Sequence, residues 1–182
     1  MVTTMWSVAG GPFLAASGLL VLAGVPKLKD PMPLVRALRS ARLPASRGLV
    51  RALAVVEIVL GVSAVVHPGR LTGAGVTACY LVFTAFVALT LRRGGVLGSC
   101  GCFGRPDTPP TVVHLAVTAA FAAGAGTLVL APPAGPVWAP VTPQLAALTA
   151  FAVLVGWLAY LVLAVLPTTT PAAVRSATTW RS

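Results

Sequence analysis

Charge is what this chain has least of. Only 9% of its 182 residues are charged, and just three are acidic: Asp30, Glu57 and Asp107. A soluble domain carries about 25% charged residues, so a water-facing globular surface is excluded. Cysteine is equally scarce. Cys79, Cys100 and Cys102 are too few and too irregularly spaced for a secreted disulfide scaffold. Met1 to Gly11 holds no Lys or Arg. The charged start of a secretory signal is therefore missing, and the first apolar block is expected to persist as a helix. No internal repeat is visible. The net charge of +10 comes with no nucleic-acid motif or aromatic-basic platform, so no nucleic-acid partner is expected.

What the chain does have is apolar residues, 57% of the total, gathered in blocks of about twenty, the length that crosses a hydrocarbon core. Five spans are expected, at about 8–25, 49–66, 71–91, 111–131 and 143–166. They are too long and too uniformly apolar for barrel strands, and in lipid the remaining solution is the helix. The fold class predicted is an all-α integral membrane protein. It has a four-helix transmembrane core, one additional C-terminal transmembrane helix and an interfacial amphipathic helix. Residues 1–166 form a single domain and 167–182 a flexible tail rich in Thr, Ser and Ala. Pro26, His67-Pro68-Gly69 and Pro167 are expected to stop the first, second and fifth spans.

Between the first two spans, Leu34, Ala37, Leu38 and Ala41 share one side of a helical wheel, with Arg36, Arg39 and Arg42 on another. This reads as a short basic helix lying at the headgroup level, or else as an ordinary basic loop. The proline-rich stretch Ala131 to Pro143 is expected to be extended, with Trp138 at the interface. With five spans, twelve basic residues fall on one side of the membrane and only Arg70 on the other. The positive-inside rule then puts the N-terminus outside, and the C-terminus and the loop after the third span in the cytoplasm. The surrounding partner is the lipid bilayer. Usage of Ala, Gly, Val and Arg over Lys suggests a bacterial cell membrane.

Chemistry is concentrated in that loop, at Gly98-Ser99-Cys100-Gly101-Cys102-Phe103-Gly104. A disulfide requires Cα atoms about 4.4–6.8 Å apart, which residues two apart meet best when the backbone bends. Gly101 bends without a Cβ penalty. So small a ring is strained, and strained bridges are the labile ones. A redox dithiol at Cys100 and Cys102 is the first reading. A site in which both thiolates hold Cu(I) or Zn, with His114 as third ligand, is the second. An inert pair is the third. Arg92, Arg93 and Arg105 flank the loop. They either favour thiolate or simply set topology.

Glu57 is the sole acidic residue within a span, where a carboxylate is expensive and is usually paired or functional. Lys27 closes the first span on the same face. Either the two form a structural pair, or Glu57 accepts protons for the thiol chemistry or anchors a small molecule. His114 enters the fourth span from this face, as a proton relay or a polar boundary residue. Cys79 lies 21 residues before Cys100, about 30 Å along a continuous helix, and reads as a small buried hydrophobe.

These features together resemble the MauE family of methylamine-utilisation membrane proteins, related to the DoxX-like group. Lys27-Leu28-Lys29-Asp30-Pro31 carries the resemblance, with Leu43-Pro44, Glu57-Ile58-Val59-Leu60-Gly61 and Ser99-Cys100-Gly101-Cys102-Phe103-Gly104, across residues 10–130. The resemblance implies a four-helix bundle exchanging disulfides with a thioredoxin-fold partner, hence a thiol-disulfide oxidoreductase. It also implies chemistry on the outer side of the membrane, against the charge count. The family's Arg-Asn pair at the start of the fourth helix is replaced here by Thr111-Val112-Val113-His114. No cofactor motif is evident; analogy with other membrane thiol oxidases admits a quinone. The alternative is a non-enzymatic assembly factor or metal-binding subunit working with other membrane-complex partners.

Overall fold

The structure, a computed structural model, describes residues 2–93, 111–133, 138 and 143–165. Among the described residues six α-helices follow one another: α1 (Val2–Lys29), α2 (Met32–Ser40), α3 (Arg47–Val66), α4 (Arg70–Arg92), α5 (Val112–Leu130) and α6 (Pro143–Tyr160). A π-helical turn, Leu161–Val165, extends α6. All but α2 contain a stretch long and apolar enough to cross a membrane. The tail from residue 167, and most of the proline-rich connection before α6, lie outside the described residues. Trp138 belongs to those described. It is 38% exposed and its indole Nε1–H donates to the Val65 carbonyl at 2.8 Å, at the end of α3.

Helix α1 is the axis of the bundle. Its apolar window is 61% buried, against 11% for α6, which decides which helix is surrounded and which is appended. It packs most extensively on α3, then on α6 and α5, while α4 packs on α5. The four-helix core is therefore α1, α3, α4 and α5, with α6 laid along α1. Phe13, Leu20, Val76, Phe121 and Leu128 fill the centre. Tyr80 adds a polar tie: its hydroxyl donates to the Ala16 carbonyl at 2.8 Å, fastening α4 to α1.

Small residues bring the backbones together, as lipid-embedded helices require. A Cβ at Gly61 would lie 2.6 Å from the Ser17 carbonyl oxygen, and one at Gly24 would lie 2.9 Å from the Ala54 carbonyl oxygen. These two glycines set the spacing of α1 and α3 along their shared face. At the opposite ends of the core, a Cβ at Gly73 would meet Leu128 at 3.0 Å, so α4 and α5 run antiparallel.

One expectation needs correction. The first span does not stop at Pro26. Helix α1 starts at Val2 and runs through Pro12 and Pro26 to Lys29. Proline forfeits one backbone hydrogen bond, but continuing the helix delivers Lys27 to an acidic partner on α3. Helix α2 has the expected amphipathic pattern, with Leu34, Ala37 and Ala41 buried and Arg36, Arg39 and Arg42 exposed. Leu34 and Ala37, together with Val35, cluster with Val50, Leu53 and Phe86 of α3 and α4. Arg42 closes α2 with φ of 54°. The Leu43 and Arg42 amides return to the Leu38 and Arg39 carbonyls, each at 2.9 Å, a helix stop that glycine usually supplies.

Candidate functional site

The end of the bundle where α1 and α4 finish and α3 and α5 begin collects nearly all the polar chemistry. Helices tilt their side chains toward their own N-termini. On the antiparallel pair α1 and α3, this aims Lys27 inward from its helix end and Glu57 outward from about 15 Å into its helix. They meet. Lys27 Nζ donates to both carboxylate oxygens of Glu57, at 2.7 Å each, and both residues are buried, 2% and 0% exposed. Lys27 Nζ also sits 5.0 Å from the centroid of the Phe83 ring, a cation–π contact that helps offset lost hydration. The structural pair anticipated from the sequence is thus present. Cys79, on the same helix as Phe83, is half-buried, packs against the core and lies within electrostatic range of the pair.

His114, in the first turn of α5, is 3% exposed, with both ring nitrogens engaged. Nδ1 lies 2.8 Å from the Thr111 hydroxyl, and Nε2 lies 3.1 Å from the Leu163 carbonyl oxygen. A carbonyl only accepts, so Nε2 carries the proton and Nδ1 of the neutral ring accepts from Thr111. His114 therefore latches the appended sixth helix to the start of α5. To serve as a metal ligand it would have to surrender one of these bonds. Among the described residues no three His, Cys, Asp or Glu side chains are grouped for a metal ion.

Arg92 and Arg93 end α4 and are exposed. The Arg93 guanidinium donates through Nη1 to the Ala41 carbonyl, at the C-terminal cap of α2 where a cation also complements the helix dipole. This contact was missed in the sequence, where Arg93 was read only against the loop that follows it. Arg93→Ala is expected to cost about 1 kcal/mol, given the exposure of the bond. Faster amide exchange confined to α2 would report it. Unchanged α2 exchange would mean that the bond holds nothing. Cys100, Cys102 and Arg105 lie outside the described residues, in the segment that joins α4 to α5.

No curated protein and no solved structure matches the chain. A family does. Its model, described as methylamine utilisation protein MauE, matches residues 4–131. That is the whole four-helix core with α2 and the Lys27–Glu57 pair, and it stops short of α6. This chain belongs to the MauE family.

Proposed function

We propose that this MauE-family membrane protein is a thiol-disulfide redox protein, cycling Cys100 and Cys102 between dithiol and disulfide. The observation that carries the reading is one of connectivity. The segment bearing Cys100-Gly101-Cys102 leaves α4 and enters α5 at the bundle end that also holds the Lys27–Glu57 pair and the His114 latch. The described residues on either side of it make defined contacts, Arg93 with the Ala41 carbonyl beyond α2 and Thr111 with His114 on α5. Exchange with a thioredoxin-fold partner proceeds through a mixed disulfide. A thiolate of one protein attacks the disulfide of the other, and the attacker's second thiolate then displaces the remaining thiol, so that one dithiol is oxidised as the other protein's disulfide is reduced. Exposed Arg92 supports the thiolate form. The Lys27–Glu57 pair supports this end of the bundle from below. The exposed basic residues Arg36, Arg39, Arg42, Arg47 and Arg51 favour the cytoplasmic side for this end in a bacterial cell membrane.

Thiol alkylation before and after reduction tests the chemistry. Wild type and Cys79→Ser are expected to gain two alkylated thiols on reduction, and Cys100→Ser and Cys102→Ser to gain none. A pair that never changes state under any oxidant ends the redox reading. A membrane-impermeant thiol reagent applied to intact cells reads the side: the dithiol is expected to be protected until lysis, and labelling of intact cells would reverse the orientation.

A further inference from the structure

Charged side chains within a membrane span almost always turn to the bundle interior or to a partner. Lys27 and Glu57 do so. Arg51 does not. It stands one turn inside α3, within the span Arg47–Val66, and it is exposed. Arg47, four residues earlier, is exposed as well, and residues four apart are neighbours on a helix surface. Among the described residues the one salt bridge is Lys27–Glu57. The remaining described acid, Asp30, accepts from the Met32 amide at 3.0 Å. Neither arginine thus has a carboxylate among the described residues. Helix α3 begins at this end of the bundle, so its side chains tilt back toward the headgroups. Arg51 can then lay its apolar stem along the helix and hold its charge at that level.

Deeper along the helix the same side is apolar. Val55, Val59 and Val62 follow Arg51 at spacings of four, four and three and are 47%, 58% and 47% exposed. Val50, Ala54, Glu57 and Gly61, turned to the bundle, are buried. The track from Arg51 to Val62 is about 16 Å long, close to the roughly 15 Å hydrocarbon depth of one leaflet. Two cations at the headgroup level above an apolar track of one leaflet's depth match a phospholipid in both chemistry and length. We propose that the outer face of α3 binds an anionic phospholipid, its phosphate held by Arg47 and Arg51 and one acyl chain lying along Val55, Val59 and Val62. The guanidinium fork fits phosphate oxygens in geometry as well as charge. The neighbouring α2, which packs on Val50 and Leu53, decides the headgroup's sign. Its Arg36 and Arg39 are exposed too, and their field repels the cation of a zwitterionic headgroup.

The test uses the full-length protein, reconstituted in nanodiscs of equal phosphatidylglycerol and phosphatidylcholine and released into mild detergent, with the retained lipid read by native mass spectrometry. Phosphatidylglycerol is expected to be retained over phosphatidylcholine by at least about fivefold, and excess glycerol phosphate should not displace it. Arg47→Gln/Arg51→Gln should abolish the preference with helix content and unfolding temperature unchanged, since both residues are exposed. Arg51→Gln alone should lose most of it, and carries the test should the double variant misfold. Arg36→Gln/Arg39→Gln removes the same charge from α2 and is expected to keep most of the preference. Equal loss in the two double variants overturns the site, showing a diffuse basic surface. Wild type without a preference overturns it too. So does displacement by glycerol phosphate, which would show an anion site to which the valine track adds nothing.

Discussion

Glu57→Gln should destabilise the protein by about 3–5 kcal/mol, because removing one member of a buried pair strands the other charge. Lys27 is 2% exposed and has Glu57 as its salt-bridge partner. It sits within a membrane-spanning stretch, where an unpaired ammonium is costlier still. The double variant Lys27→Met/Glu57→Leu should recover most of the loss, since well-packed apolar residues often replace buried ion pairs at little cost. Unfolding in a mild detergent with a graded denaturant measures both. If the single and double variants lose the same amount, the pair is not what holds α1 to α3. If the double variant is stable yet redox-inactive, the pair is kept for chemistry and not for folding.

Gly61→Ala comes next in size, at about 1–3 kcal/mol from overpacking. The added methyl would lie 2.6 Å from the Ser17 carbonyl oxygen and 2.7 Å from Val21. The first of these is backbone and cannot rotate away, so α1 and α3 must separate. Gly18→Ala on α1, next to Ser17, is the control. Its methyl enters open space, and trading a mid-helix glycine for alanine should stabilise by up to about 1 kcal/mol. Equal effects at the two positions would mean that helix propensity, not helix spacing, governs Gly61. Because the Gly61 face carries Glu57 one turn earlier, the same substitution is expected to loosen the ion pair.

Which parts of this were legible in the sequence follows from the range of the interactions. Helices spanning lipid announce themselves through unbroken apolar length. Expected spans at 49–66, 71–91 and 111–131 accordingly lie within two residues of Arg47–Val66, Arg70–Arg92 and Val112–Leu130. Lys27 and Glu57 were legible as a pair because opposite charges are rare in such company and both fell at one face. Pro26 misled, since the rule for proline weighs one lost hydrogen bond and not the ion pair gained by continuing. His114 and Leu163 are 49 positions apart, and a main-chain acceptor leaves no trace in side-chain identity. Likewise the apolar side of α2 was visible, but a wheel cannot say whether lipid or Phe86 covers it. The open groove lined by Leu14, Gly18 and Leu22 of α1 and by Val153 and Trp157 of α6 was invisible altogether: it exists only because two spans far apart in the chain lie side by side.

That latch has a consequence for anyone reading variation in this protein. The oxygen that His114 holds belongs to the peptide unit of residue 163, so every amino acid placed there brings the same acceptor. The donor has no such redundancy. In a saturation-mutagenesis survey, position 163 should tolerate any side chain its neighbours can accommodate, while position 114 should tolerate almost none. An interaction between the two would then register as a constraint on one site alone, and covariation methods, which need both sites to change, would pass over it.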